Sequence, residues 1–416
     1  MLTVTENMLR FNNAKYVEEH PLFFDGEYAR ALGYKDFIGM PGFSANDDVF
    51  MTKFPAEARD TLLVSQIDHS IECFRPVYPR DTIYMVRDRI ESVDMTPPEG
   101  SIYRHIMQKN YGTTYNQHGE VVNKVCFTMM ESVKVYRDEC LPKPRNRLSF
   151  LDVWEAPDWG SRPLHYYSDE DWEWIRARWA EEPIRTTAGP KWSDIKVGEQ
   201  LPLAVYGPIV EGVVPSMPYG MGVGGSRCLR KEIMDPDIFA ELDRDEITGN
   251  YRSPNPEVNI PTSPDDAKPF FPPAPEGDDG PGEISTADIH KTASGRSALI
   301  NFMGRDIALG SIINYFGDTA FVRRISWSIM CPETHALKGK PVVARSDFNI
   351  YSRRIPRMEN ATIPTHGLTY DLACVHSYII EKAIVNGEPQ VTLALWVAEI
   401  SGEAWLTAEV VVALRE

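Results

Sequence analysis

The feature that most constrains the fold is an order of segments that occurs twice along the chain. Residues 28–54 have the pattern of two short helices joined by a turn, and strand-type segments follow from Leu62 to residue 135. A helical segment at 296–316 is likewise followed by strand-type segments. The two runs end alike, because NQHGEVVNKVCFTMMESVKV and EISGEAWLTAEVVVAL each place a Gly-Glu turn before a strand. This order predicts a duplicated α+β unit, with chance similarity of two hairpins as the alternative.

Proline sets the predicted boundaries. We expect an N-terminal domain at 1–135, a linker at 136–190 and a C-terminal domain at 191–416, with an insertion at about 213–289. Nine of the 32 prolines fall within residues 250–283, and a stretch of this composition is not expected to pair as a sheet. Its aromatic residues favour either a cover over an active site or an arm that contacts another subunit.

The linker is predicted to hold one helix. Ser168 can cap the amides at the start of an acidic first turn, and Trp172, Ile175 and Trp179 share one face at helical spacing. We expect this face to pack onto a domain.

Charge and cysteine usage exclude several classes of function. The chain has 60 acidic and 43 basic residues, a formal charge of −17, so we expect neither nucleic acid nor a membrane as partner. No apolar run has the length of a membrane span, and the first residues lack the pattern of a signal peptide, so the expected location is cytoplasmic. The six cysteines are far apart and lack metal-ligand spacing, so we expect reduced thiols and no metal site.

One segment carries a specific family resemblance. HPLFFDGEYARALGYKDFIGMPGF, at 20–43, resembles the segment NPLH-x-D-x-x-YA-x-x-x-G-[FY]-x-x-x-IAHG of the MaoC-like hydratases and dehydratases. The positions in register are Pro21, Leu22, Asp25, Tyr28, Ala29, Gly33, Tyr34 and Ile38. The second half resembles the same superfamily through KWSDIKVGEQLP, RDIALG and GEAWLTAEVVVAL.

The resemblance implies a double hotdog fold of the α+β class, with two antiparallel sheets each wrapped around a central helix. It also implies reversible addition of water to a 2-enoyl thioester, with coenzyme A as part of the substrate, no other cofactor, and a homodimer or larger homo-oligomer. Two alternatives stay open, namely a non-catalytic acyl-thioester-binding subunit of a hetero-oligomeric hydratase and a different lyase reaction on the same fold.

The first half departs from the family at its catalytic positions. Phe23 stands where the family has its histidine, and Glu18 stands where it has its aspartate. Because phenylalanine cannot transfer a proton, we expect this half to be a degenerate partner that shapes the acyl tunnel.

In the second half the resemblance points to His290 as the acid/base, 17 residues before Ile307. Ser285 stands at the family Asp position, so the carboxylate is unassigned, with Asp288 and Glu283 as the nearest replacements. We take His290 and Asp288 as the candidate catalytic residues. A surface or capping role is the alternative for each.

Three further residues are candidates for substrate binding. Ala308 and Gly310 could supply an oxyanion hole if the helix begins there, and a glycine at a tight helix contact is the alternative. Arg305 could bind a substrate phosphate, or form a buried pair with Asp306. Arg323 and Arg324 could meet the phosphates of coenzyme A.

Overall fold

The computed structural model describes the chain in several stretches, and every structural statement below concerns those residues. They are 1–13, 20–43, 62–94, 103–134, 163–182, 186, 189–209, 233–252, 301–328, 336–337, 340–341, 367–368, 370–402 and 404–414.

Two sets of long antiparallel strands dominate the structure. The N-terminal strands are β1 (Leu2–Thr3), β2 (Leu62–Cys73), β3 (Thr82–Asp94), β4 (Tyr103–Tyr115) and β5 (Val121–Lys134). The C-terminal set consists of β6 (Ala204–Tyr206), β9 (Ala320–Ser328), β12 (Ala373–Val385), β13 (Glu388–Ala398) and β14 (Ala404–Leu414). Short two-residue pairs are formed by β7 (Asp243–Arg244) with β8 (Tyr251–Arg252), and by β10 (Ala336–Leu337) with β11 (Lys340–Pro341).

Helices are few. They are α1 (Glu6–Asn13), α2 (Gly26–Ala31), α3 (Asp169–Glu181), α4 (Pro236–Phe239) and α5 (Asn301–Phe316), with 3₁₀ turns at Pro21–Phe23 and Gly317–Thr319. Asp25 caps α2, because its carboxylate accepts from the amides of Glu27 and Tyr28.

The sheet shows the duplication that the sequence predicts. Its strand order is β1-β3-β4-β5-β2-β9-β14-β13-β12-β6. Each half has the same order of strands when it is read from its outer edge to the centre. The order is β1, β3, β4, β5, β2 in the N-terminal half and β6, β12, β13, β14, β9 in the C-terminal half, which is the first, third, fourth, fifth and second strand of each set. The two second strands, β2 and β9, pair antiparallel at the centre, with Ile71 opposite Ile325.

The predicted pair of separate sheets is replaced by one sheet of ten strands. The halves join because both central strands turn large apolar side chains to the same face, where Ile71, Ile325 and Trp327 belong to one buried core. We call the β2–β9 pairing, with these buried side chains, the seam. Separating the halves would expose the apolar side chains of the seam and leave the edges of β2 and β9 unpaired. The domain boundaries drawn from the sequence stay predictions.

Helix α5 lies against the strands of the second half. Ile307, Ala308, Leu309 and Ile312 are all buried, although they point to different sides of the helix, so the helix is enclosed rather than half exposed. Gly304 allows the closest approach, since a Cβ atom there would lie 2.4 Å from Cδ1 of Leu406 on β14.

The predicted linker helix corresponds to α3. Ser168 and Asp171 form a capping box at its start, as the sequence indicates. Trp172, Ile175 and Trp179 are buried in a small core that Tyr251, from the proline-rich insertion, helps to cover. Tyr251 thus packs against this small core. The part of the proline-rich segment from residue 253 to residue 283 lies outside the described residues, so its predicted role as a cover or an arm stays a prediction.

The seam between the halves yields a direct test. We expect Ile325→Ala to lower the free energy of unfolding by about 2–5 kcal/mol, because it leaves a cavity at the centre of the shared core. Denaturant unfolding followed by tryptophan fluorescence measures the change. Ile384→Ala is the matched control: this isoleucine on β12 is 63% exposed, and its loss is expected to cost less than about 0.5 kcal/mol. Equal effects of the two variants would contradict a buried seam.

Candidate active-site cleft

An open cleft lies where the two halves meet. One wall is the segment 38–43 with Leu22 and Phe23, and the opposite wall is the end of α5 with the start of β9. The ends of β2 and β5 contribute the remaining lining. The MaoC-like segment recognised in the sequence therefore forms one side of this cleft.

Asn13 fixes the first wall. Its side chain is fully buried, and Nδ2 donates to the carbonyl oxygens of Phe23 and Ile38, each at 2.9 Å. Its Oδ1 accepts from the amide of Met40, also at 2.9 Å. One side chain thus satisfies three backbone groups of a loop that forms no sheet pairing, and holds that loop in a single conformation.

The cleft is apolar and holds no obvious proton-transfer group. Among its described lining residues there is neither a carboxylate nor an imidazole. Phe23, at the family histidine position, lines the wall, and the expected loss of acid/base chemistry in this half stays a prediction. Burial raises the pKa of the Cys73 thiol to about 12, so that thiol is neutral and not a nucleophile.

Two polar side chains interrupt the apolar lining. Asn123 is buried and donates from Nδ2 to the carbonyl oxygen of Phe43 at 3.0 Å. Arg75 donates to the carbonyl of Val121 at 2.9 Å and reaches the carboxylate of Glu120 at 3.3 Å. The guanidinium of Arg75 is about half exposed, which places a positive charge where the cleft opens to solvent.

A second arginine lies beside the same opening. Arg323 stacks at 4.7 Å over the ring of Phe321, which lines the cleft, and donates to the carbonyl of Phe74 at 3.3 Å. It also pairs with Glu388, with Nε at 2.9 Å from the carboxylate. The predicted contact of Arg323 with substrate phosphates stays a prediction, and its position near the mouth is compatible with that role.

A buried polar network links the two halves behind the cleft. The hydroxyl of Tyr28 on α2 donates to Asp318, which follows α5, and Nε2 of His20 lies 3.6 Å from the other oxygen of Asp318. Gly317 and Leu22, close in sequence to these residues, line the cleft. The network therefore connects the cleft's opposite walls.

Burial governs the proton affinities in this network. It raises the pKa of the Asp318 carboxyl, with the Tyr28 hydroxyl and the nearby His20 acting in the opposite direction. Burial, together with the Asp318 charge, raises the pKa of Tyr28 to about 12. Sequence reasoning missed this network. The signals available were His20 and Tyr28 within the family-like segment, but nothing local pairs them with Asp318, 290 residues from Tyr28.

The predicted binding residues on α5 are separate from this cleft. The described part of α5 runs from Asn301, so the amides of Ala308 and Gly310 lie within helical turns, where hydrogen bonds of the helix use them. The condition for an oxyanion hole at the helix start is not met there. Neither residue, nor Arg305, is among the described lining residues, and their substrate contacts stay predictions.

Arg305 forms the buried pair that the sequence offered as its alternative. Its side chain is 11% exposed, lies 2.5 Å from the Asp306 carboxylate and stacks over Trp327 at 5.6 Å. Burial and the Arg305 charge lower the pKa of His69 well below its ordinary value, so this imidazole of the seam is neutral. The cluster couples α5 to the central strands.

The candidate catalytic residues His290 and Asp288 lie outside the described residues, as do Glu283 and Ser285. No described group of three or more His, Cys, Asp or Glu side chains could hold a metal ion. Within the described stretches, no helix has both the length and the apolar character needed to cross a membrane.

Comparison with known proteins finds similarity at the level of structure. No family model and no curated protein matches the sequence. Similar solved structures include a MaoC-like dehydratase, with 16% identity and a TM-score of 0.46, covering 100% of this chain and 95% of that one. A protein from Chloroflexus aurantiacus, described as a MaoC domain dehydratase, has 12% identity and a TM-score of 0.47 over 100% and 93% of the two chains. A Mycobacterium tuberculosis protein with a double hotdog fold has 12% identity and a TM-score of 0.45 over 99% and 93%.

The three hydrogen bonds of Asn13, which we call the clamp, can be tested by measuring the free energy of unfolding. We expect Asn13→Ala to lower the free energy of unfolding by about 2–4 kcal/mol, because three backbone groups lose their partner. Asn12→Ala, the neighbouring asparagine on α1, is the control and is expected to change stability by less than about 0.5 kcal/mol. Chemical denaturation of both variants decides the question, and a loss below 1 kcal/mol in Asn13→Ala would argue against the clamp.

The network behind the cleft predicts a pH dependence. An acid whose pKa is raised by folding contributes stability below its unfolded pKa, near 3.9, and loses that contribution as pH rises through the folded pKa. We therefore expect the stability of the unmodified protein to fall, relative to Asp318→Asn, as pH rises above about 4. Denaturant titrations at a series of pH values measure the difference. Parallel curves for Asp318→Asn and the unmodified protein would refute the assignment.

Proposed function

We propose that this chain is a hydratase or dehydratase that adds water reversibly to a 2-enoyl thioester of coenzyme A. The observation that carries the proposal is the apolar cleft between the halves, walled by the MaoC-like segment and closed by α5. Such a cleft suits an acyl chain, because burying each methylene in it gains about 0.8 kcal/mol.

In this proposal the two halves have different roles, acyl-chain binding in the first and proton transfer in the second. The first half binds the acyl chain, since its described cleft lining offers no acid or base. The second half performs the chemistry. His290, with Asp288 as the candidate carboxylate, takes a proton from water as the oxygen adds to C3 and delivers a proton to C2. The reverse order of the same transfers gives dehydration.

The two arginines at the mouth of the cleft are suited to bind the phosphate groups of the coenzyme A part of such a substrate. Arg75 and Arg323 lie where a thioester bound by its acyl chain would leave the cleft. Each is already paired with a glutamate, so phosphate groups would share or replace these partners rather than meet a free cation. We further propose that the enzyme works in the cytoplasm as a homodimer or larger homo-oligomer.

One observation favours a second candidate function. The absence of an acid or base from the described cleft lining would equally suit a non-catalytic subunit that binds acyl thioesters beside a catalytic partner. Turnover by the purified homo-oligomer separates the two, because only an enzyme consumes an enoyl thioester by itself.

A panel of short, branched and aromatic enoyl-CoA thioesters tests the proposal. We expect loss of the enoyl-thioester absorbance with the unmodified protein, and a decrease of about 10²- to 10⁴-fold in kcat/KM for His290→Ala. His118→Ala, at an exposed histidine in the β4–β5 hairpin, is the control and should retain full activity. Full activity in His290→Ala would refute the site. Binding without turnover across the panel would favour the non-catalytic subunit.

A further inference from the structure

Three polar side chains occupy the inner face of the N-terminal half-sheet, where apolar residues are expected. Asn110 and Thr114 lie on β4 and are fully buried, and Asn123 on β5 is 1% exposed. Thr114 and Asn123 are direct cross-strand partners, and Asn110 follows on the same face because it is four residues from Thr114. We refer to these three residues as the polar stripe.

Within the described part of the chain, four of the five side-chain polar atoms of the polar stripe lack hydrogen-bond partners. Both side-chain polar atoms of Asn110, Oγ1 of Thr114 and Oδ1 of Asn123 have none. The neighbouring Thr113, on the opposite face of β4, donates to Asp88 at 2.6 Å. The unmet hydrogen bonds therefore belong to the inner face and are not a general property of this strand.

Asn123 is the member of the polar stripe that lines the cleft. Its Nδ2 is held by the carbonyl oxygen of Phe43. A carbonyl oxygen can only accept, so the amide nitrogen must face Phe43 and the carbonyl oxygen Oδ1 must face elsewhere. The result is an unpartnered, buried acceptor of fixed orientation on a residue that lines the apolar cleft.

An unsubstituted acyl chain would leave this acceptor unsatisfied. Burying a polar group without a partner is unfavourable, and an O–H or N–H group on the ligand removes that penalty. A pocket that provides a hydrogen-bonding group discriminates strongly against ligands that lack the complementary group.

Building on the proposed function, we propose that the preferred acyl group carries a hydroxyl or another hydrogen-bond donor along its chain. That group donates to Oδ1 of Asn123, and the Thr114 hydroxyl opposite serves as a second partner. The substrate class is thus a polar-substituted acyl thioester rather than a plain fatty acyl thioester.

Titration calorimetry with saturated thioesters tests this inference without relying on turnover. The probes are CoA thioesters of one chain length, one unsubstituted and the others carrying a single hydroxyl at successive carbons from C4 onward, so that none of them is the 3-hydroxy product of the proposed reaction. We expect at least one hydroxylated thioester to bind about tenfold more tightly than the unsubstituted one. Asn123→Leu should abolish this preference.

Thr114→Val provides a second variant that breaks no hydrogen bond of the described structure. We expect it to keep or raise the melting temperature, since it removes an unpartnered buried hydroxyl, and yet to reduce the preference for the hydroxylated thioester. Thr113→Val, one residue away on the other face, is the control and should keep the preference.

The outcomes are separable. Equal binding of all thioesters overturns the inference and leaves the proposed function standing. A preference that survives in both Asn123→Leu and Thr114→Val overturns the role of the polar stripe. Failure of every thioester to bind overturns the proposed function, and this inference with it.

Discussion

The antiparallel pairing of β2 with β9 is the interaction on which the rest of the structure depends. It joins two five-stranded halves into one sheet and sets Ile71 against Ile325 at the centre of a common core. Because the halves share this seam, a segment from the first half and the end of α5 from the second face each other across a narrow cleft. The cleft is thus a product of the duplication and belongs to neither half alone.

Buried polar contacts give that cleft its shape. Asn13 holds the first wall by three backbone hydrogen bonds, and the Tyr28–Asp318 contact ties the first wall to the second. Such contacts stabilise only when each group finds its partner, so they favour one arrangement of the walls over others. Oδ1 of Asn123 differs from these contacts, since it has no described partner although its own Nδ2 is satisfied.

Local pattern predicted the long strands, α3 and α5, but it missed α1 and the long-range contacts. Alternation located β4 and β5 with their hairpin, and capping chemistry located α3, since these depend on neighbours in sequence. The union of two sheets into one depends on complementary faces of β2 and β9, which no local pattern encodes. For the same reason Asp318 escaped notice, because its partners Tyr28 and His20 belong to the other half.

The central claim is that the cleft between the halves binds the acyl chain. Amide hydrogen exchange with and without a saturated acyl-CoA tests it most directly, because no turnover is needed. The account predicts slower exchange at residues 38–43 and 312–322 on binding, with no change in β3 at the outer part of the sheet. Binding that leaves both cleft walls unchanged, with protection confined to other segments, would contradict it.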